Sequence, residues 1–370
     1  MKIFSKSVFV ALAILSLSLT ACKDSDDTIN SNPCSVSFDQ KAMFANLADN
    51  IIIPSYLDLK TKVEALTNEM DVFLAEPNAT NLTTLRATWL TAYLSWQACA
   101  YYEFGPAENI FLRNSLNNFP VNQSGVEQNI IAGTYDFDKP DNYDKGFPAL
   151  DYLLFGLAEN DADLLNKYTN DTDAAKYKTY AQALVVDMKT KVEQTYTSWT
   201  TDYRDQFVSN TGTAAGTSLS LVINNLNQNY EFIKREKLGT PVGIVFDIPN
   251  PTTVEAYYSG NAIKLATAAL EAARNLYLGG TGLGLDDNLN AADARKGSET
   301  LDAVIQARFT EAIAAVKELN DPLDQEIQND RASVVNAYNQ VTKQVVPLKT
   351  DMPSALCVSI TYIDNPSDSD

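Results

Sequence analysis

The sequence predicts an all-α protein of two helical-bundle domains. Three observations carry this. From about residue 38 the apolar residues recur every three or four positions almost without interruption, as in Leu59, Val63, Leu66, Met70 and Phe73, the mark of amphipathic helices. The periodic runs are separated by turn-forming clusters such as Glu76-Pro77-Asn78-Ala79 and Asn320-Asp321-Pro322, as expected between helices. A length of 370 residues fits two domains. An internal echo points the same way and is consistent with duplication: Arg86-Ala87-Thr88-Trp89-Leu90-Thr91-Ala92-Tyr93 lines up with Arg331-Ala332-Ser333-Val334-Val335-Asn336-Ala337-Tyr338.

Residues 1–21 read as a targeting segment. Lys2 and Lys6 form a positive start, and Val8 to Leu19 an apolar run too short for a lasting membrane span. Leu19-Thr20-Ala21-Cys22 has the pattern of a lipoprotein signal cleaved before a cysteine that then carries lipid, so Cys22 is the expected anchor. Residues 22–37 form an acidic tether, in which Lys23-Asp24-Ser25-Asp26-Asp27 is either a solvated spacer or an export signal of surface lipoproteins. Removing residues 1–21 takes away two lysines and moves the formal charge of −19 two further units negative. That charge argues against nucleic acid and against electrostatic docking on anionic lipid. The expected location is the outer membrane, through the lipid alone, facing the periplasm or the cell surface. Cys99 lies in an apolar helical pattern and reads as a core residue. Cys34 and Cys357 flank the body and are candidates for a disulfide in an oxidising compartment.

The first bundle is expected over 38–165, the second over 166–349, and a tail over 350–370. A helix from Phe38 to Ile53 is ended by Pro54, and the next runs from Tyr56 to Ala75. Asn81 is the expected N-cap of a third helix reaching Phe104. Residues 105–145 are looser, and 160–171 form a connection. Further helices are expected over 172–207, 218–238, from Thr253 to Gly279-Gly280, 298–319 and 323–346, with a flexible loop from Thr281 to Lys296.

The stretch Gly146-Phe147-Pro148-Ala149-Leu150-Asp151-Tyr152-Leu153-Leu154-Phe155-Gly156 reads as a short buried helix, with Pro148 in its first turn and Gly156 as its stop. Pro148 and Asp151, three apart, share a face. It resembles the signature of the imelysin family of bacterial envelope proteins, Gly-x-His-x-x-Glu followed by Tyr-Leu-Leu. Gly146 and Tyr152-Leu153-Leu154 match, whereas Pro148 replaces the histidine and Asp151 the glutamate. Trp89, Tyr93 and Glu103-Phe104-Gly105-Pro106 are similar to the family's first long helix and its exit. Lys237-Leu238-Gly239-Thr240-Pro241 and Val254-Glu255-Ala256-Tyr257-Tyr258-Ser259 are similar to its second-half signature. The resemblance spans residues 38 to 345 and implies two bundles and a role in iron or haem uptake at the envelope, as a binding component without turnover. A peptidase of the family's nominal class and a surface scaffold or adhesion lipoprotein are the alternatives; the expected partner is an envelope protein or an iron or haem ligand.

The chain has no histidine. That excludes Ser-His and Cys-His nucleophile pairs and His-containing zinc sites, and it weakens the peptidase reading. Oxygen-only metal binding stays open, but loops starting at Asp136 and Asp286 both fail the calcium-loop pattern, and Gly279-Gly280-Thr281-Gly282-Leu283-Gly284 follows a helix and is not a phosphate loop. Asp151 is either an oxygen ligand in a small polar pocket with Glu255 and Ser259, or a buried strut held by helix-terminal N–H groups, Arg113, Lys237 or the Tyr152 hydroxyl. Trp89, Tyr93 and Glu103 either line that pocket or belong to the core, and Glu255 and Ser259 are expected to share one helix face near its start.

Overall fold

The structure, a computed structural model, describes residues 37–139, 142–244 and 247–362. The expected signal segment, the lipidation site Cys22, Cys34 and nearly all of the tether lie outside the described residues. Cys357 is disulfide-bonded, and Cys99 is a free, buried thiol. Among the described residues the fold is helical throughout, apart from a two-residue hairpin pairing Arg295–Lys296 with Glu299–Thr300, and no helix is long and apolar enough to cross a membrane.

Three long helices make the first group. The first runs over 40–75 without the break expected at Pro54. A π-helical segment, Leu47–Ile52, precedes the proline, and the Ile53 N–H reaches back five residues to Ala48 O. The wider turn removes the clash with the preceding carbonyls that ends an α-helix at proline. Helix Ala79–Cys99 comes next and stops short of Phe104. Its cap is Asn78, whose side chain accepts the Asn81 N–H at 2.9 Å; Asn81 instead donates to Glu76 O. The third helix covers 174–209, with another π segment, Trp199–Tyr203, near its C-terminal end. The 40–75 helix packs against both of the others, around Tyr56, Leu85, Trp96 and Met188. The border expected near residue 165 thus precedes a helix that packs on the first group.

The second group consists of Ser218–Phe232 with its π continuation Ile233–Gly239, then Ala262–Leu278, Leu301–Lys317 and Arg331–Thr342. Ala262–Leu278 also packs on Ala79–Cys99 and joins the two groups. Five expectations differ here. Residues 160–171 hold a helix, Asp161–Thr169, capped by Asn160. The helix expected from Thr253 begins only at Ala262, after turns in which Ala256 and Gly260 adopt positive φ. The loop 281–296 contains helix Leu285–Ala291; Asn46 donates to Gly279 O and Leu283 O, and Asp287 accepts the Gly284 N–H. These bonds satisfy a backbone that composition alone marks as free. The helix over 323–346 is interrupted at Asp330, which leaves the helical region and caps Arg331–Thr342 through the Ser333 N–H. The tail opens with helical turns Pro347–Asp351 and Met352–Ala355 on the core.

The internal echo has a physical counterpart. Arg86 Nε donates to Leu154 O at 2.8 Å, and Arg331 Nε donates to Val242 O at 2.9 Å. Each arginine thus ties its helix to a segment that opens with Gly-x-Pro, Gly146-Phe147-Pro148 or Gly239-Thr240-Pro241. Seven residues on, Tyr93 stacks on Phe147 at 4.6 Å, and the Tyr338 ring fills the space beside Gly239.

Replacing Asn78 by Ala removes the cap and is expected to lower unfolding stability by about 1 kcal/mol. Asn81→Ala, at the position that the sequence alone favours as the cap, should cost under about 0.5 kcal/mol. Urea midpoints of the two variants measure the difference, and equal losses would return the cap to Asn81.

Candidate functional site

The site is built around helix Gly146–Asp151 and its π continuation Tyr152–Gly156. Gly146 has φ +70°, and a side chain there would meet Leu116 O at 2.3 Å, so only glycine fits. All six residues from Gly146 to Asp151 are buried. Trp89 supports them from the Ala79–Cys99 helix, donating its indole N–H to Phe147 O at 3.2 Å.

Asp151 is 2% exposed. Its Oδ2 accepts the Tyr258 N–H at 2.9 Å and its Oδ1 the Ser259 N–H at 3.1 Å. The carboxylate therefore ties the motif to the 254–260 turns. It lies past the first helical turn; Ser259, expected beside it, is a partner, whereas the helix-terminal N–H groups, Arg113, Lys237 and the Tyr152 hydroxyl are not. Arg113 bonds Glu103, Lys237 pairs with Glu255, and the Tyr152 hydroxyl donates to Glu127 at 2.8 Å. Burial pushes the Asp151 carboxyl up to about 7, against the pull of the Ser259 hydroxyl and the two backbone donors, with a further push from Glu255.

Glu255 and Ser259 do not share a helix face. Both sit in the turns before Ala262, where Ala256 at φ 51° reverses the chain. Glu255 is 1% exposed and belongs to a buried network: it pairs with Lys237 and accepts Tyr93 Oη–H at 3.0 Å and Asn117 Nδ2–H at 2.9 Å. Glu103 accepts the Arg113 N–H at 2.9 Å and lies 3.7 Å from its Nε; burial raises its carboxyl above the ordinary range.

A cleft of about 340 Å³ opens beside the motif. Pro148 and Asp151 line it, with Phe119, Pro120, Val121, Gln123, Thr252, Thr253, Val254, Ala256, Tyr257 and Tyr258. Of the residues expected in a pocket, Trp89, Glu103, Tyr152, Glu255 and Ser259 do not line the cleft. In the sequence Phe119 and Pro120 belong only to a loose connection. Tyr257 and Tyr258 stand in a family-like segment without a role; their adjacency to Ser259 is the available signal. No cationic side chain lines the cleft, and among the described residues no three His, Cys, Asp or Glu side chains converge as a metal would require. Pro148 offers no lone pair where the motif calls for histidine, so positions 148 and 151 do not form the ligand pair of that motif.

The fold and site define an all-helical protein with a cleft at a Gly-x-Pro-x-x-Asp turn. The imelysin family model (peptidase M75) matches residues 52–348, and the chain belongs to that family. Iron-regulated protein A of Synechococcus elongatus is 22% identical over 318 residues, covering 81% of this chain and 84% of that protein. Two crystal structures share the fold at a TM-score of 0.70. One is a candidate iron-regulated protein A precursor from Parabacteroides distasonis, 20% identical over 86% of this chain and 95% of the other. The other is an imelysin-like protein from Psychrobacter arcticum, 17% identical over 89% of this chain and 99% of the other.

The raised Asp151 carboxyl has a definite effect on stability. The folded chain keeps this proton up to about pH 7, while the unfolded chain releases it near the ordinary 3.8. The contribution is therefore fully present below the unfolded value and is lost as pH rises towards 7. Relative to Asp151→Asn, the wild-type protein should lose up to about 1.4 kcal/mol per pH unit between about pH 4 and 7, and nothing further above that. Urea titrations across this range measure it, and parallel curves for the two proteins would contradict it.

Proposed function

We propose that this chain is a lipid-anchored envelope protein that binds an iron compound or haem at the motif cleft without chemical turnover. One observation carries the reading. The Asp151 carboxylate is committed to the backbone of Tyr258 and Ser259, and Pro148 stands where a ligand would be needed. The motif thus shapes a cleft wall and does not present a metal-bound water for peptide hydrolysis. The family match and the iron-regulated relative support iron as the cargo, and the signal-like start with Cys22 supports the envelope and the lipid anchor. The lining fits the organic part of such a cargo. Phe119, Tyr257 and Tyr258 offer ring faces and Thr252, Thr253 and Gln123 offer hydrogen bonds.

Titration of the purified chain with haemin and with ferric nitrilotriacetate, monitored by absorbance and tryptophan quenching, tests this. Saturable binding of one of them is expected, weakened about tenfold or more (about 1.4 kcal/mol) by Tyr258→Ala with the helical spectrum unchanged. Absence of binding to either, or chelator-sensitive cleavage of a denatured protein, would overturn the proposal.

A further inference from the structure

Away from the cleft lining, a buried amine, a carboxylate and a primary amide share one network. Lys237 Nζ pairs with Glu255 Oε2 and donates to Gln97 Oε1 at 3.0 Å. The other carboxylate oxygen, Glu255 Oε1, accepts Asn117 Nδ2–H at 2.9 Å. The Tyr93 hydroxyl lies 2.5 Å from Asn117 Oδ1 and 3.0 Å from Glu255 Oε1, one proton facing two acceptors. Lys237 is 5% exposed, Asn117 3%, Glu255 1% and Tyr93 0%, so bulk water does not reach them. A small gap of about 10 Å³ borders Gln97, Asn117 and Lys237, room for about one small molecule the size of water.

A structural ion pair needs only Lys237 and Glu255. The additional arrangement has a chemical logic. A carboxylate that touches both an amine and an amide nitrogen can move a proton from one to the other. A phenol on the amide oxygen stabilises negative charge developing there. Holding the reacting groups together out of water replaces a bimolecular encounter. We infer that Lys237 and Asn117 become joined by an intramolecular isopeptide bond, with Glu255 as proton carrier and Tyr93 as donor to the oxyanion.

The step balances without any other reactant. Lys237 Nζ passes a proton to Glu255 Oε2 and becomes a neutral amine. The amine adds to Asn117 Cγ, and Tyr93 Oη–H bonds the resulting oxyanion at Oδ1. Glu255 hands its proton to Nδ2, the Cγ–Nδ2 bond breaks, ammonia leaves, and the remaining amine proton returns to Glu255. The Nζ–Cγ bond replaces Cγ–Nδ2, and nothing is oxidised or reduced. Burial pulls the Lys237 ammonium down, opposed by Glu255 and aided by the nearby Arg113 guanidinium, which favours the amine form. Both nitrogens rest on the two oxygens of one carboxylate, which holds the amine and the amide side by side, and Gln97 positions the amine.

Intact mass of the purified, denatured full chain tests this, with disulfides reduced. The wild-type protein is expected to be lighter than its sequence by one ammonia, and peptide mapping to find the peptide of Asn117 linked to that of Lys237. Glu255→Gln is expected to restore the full mass. Because that variant can fail to fold, the wild-type mass alone is decisive. An unmodified wild-type mass overturns the inference. So does an ammonia loss without a cross-linked peptide, which marks a succinimide at an asparagine, and so does a link from Lys237 to Gln97.

Discussion

The bond between the Asp151 carboxylate and the Tyr258 and Ser259 amides is the constraint on which the site depends. The turns from 254 to 260 are closed by one backbone bond, Gly260 N–H to Ala256 O at 3.0 Å, and Ala256 sits at positive φ. Left unpaired in the interior, each of those N–H groups costs about 1–3 kcal/mol. Asp151 satisfies two of them at once. In return the donors stabilise a charge that burial opposes. The turns carry Glu255 and the cleft-lining Tyr257 and Tyr258, so one carboxylate in the first half of the chain sets the position of second-half side chains. A side chain on Gly156 would strike the Tyr258 ring at 2.3 Å, which makes the end of the motif as restrictive as its start.

The π segments belong to the same picture. Tyr152–Gly156 continues directly from Asp151, and Ile233–Gly239 holds Lys237. A π turn adds a residue to the helical repeat and rotates the later residues of the helix relative to a regular α-helix. Lys237 thereby faces the inward side beside Gln97 and Glu255 although its neighbours Arg235 and Glu236 stay partly exposed. The same device lets the 40–75 helix pass Pro54. In these two helices irregular turns stand where a charged side chain is brought inside, at Lys237, and where the backbone lacks a donor, at Pro54.

Much of the fold was legible because long helices declare themselves through apolar spacing, as Leu59 to Phe73 do, and the Gly146-x-Pro148-x-x-Asp151 turn stood out as one carboxylate in an apolar run. The features that escaped did so for physical reasons. One extra residue in a turn hardly disturbs a spacing of three or four, so the π segments left no trace and Pro54 read as an end. Asn78 and Asn81 are equally good caps by type, and only the backbone at Asn78, extended at ψ 169°, decides between them. Glu255 and Ser259 fit a helical spacing on paper, but a single left-handed alanine at 256, which composition does not reveal, separates them. The stretch from Thr281 to Lys296 looked flexible because the groups that hold it, Asn46 above all, lie more than 230 positions away in the chain.

Two buried acids, Asp151 and Glu255, are neutralised in different ways, and the difference sets the character of the cleft. Before any cross-link forms, Glu255 has a full countercharge in Lys237, and neither lines the cleft, so that pair contributes no net charge to the lining. Asp151 does face the opening, but its charge is spread over two backbone donors and resisted by burial. Phe119 stands between the cleft and Lys237, its ring 5.6 Å from Nζ, and shields the cation. The lining is therefore close to neutral in a protein whose formal charge is −19. A cargo held there must make its contacts through rings and hydrogen bonds, and any charge it carries has to remain at the open side, where water screens it.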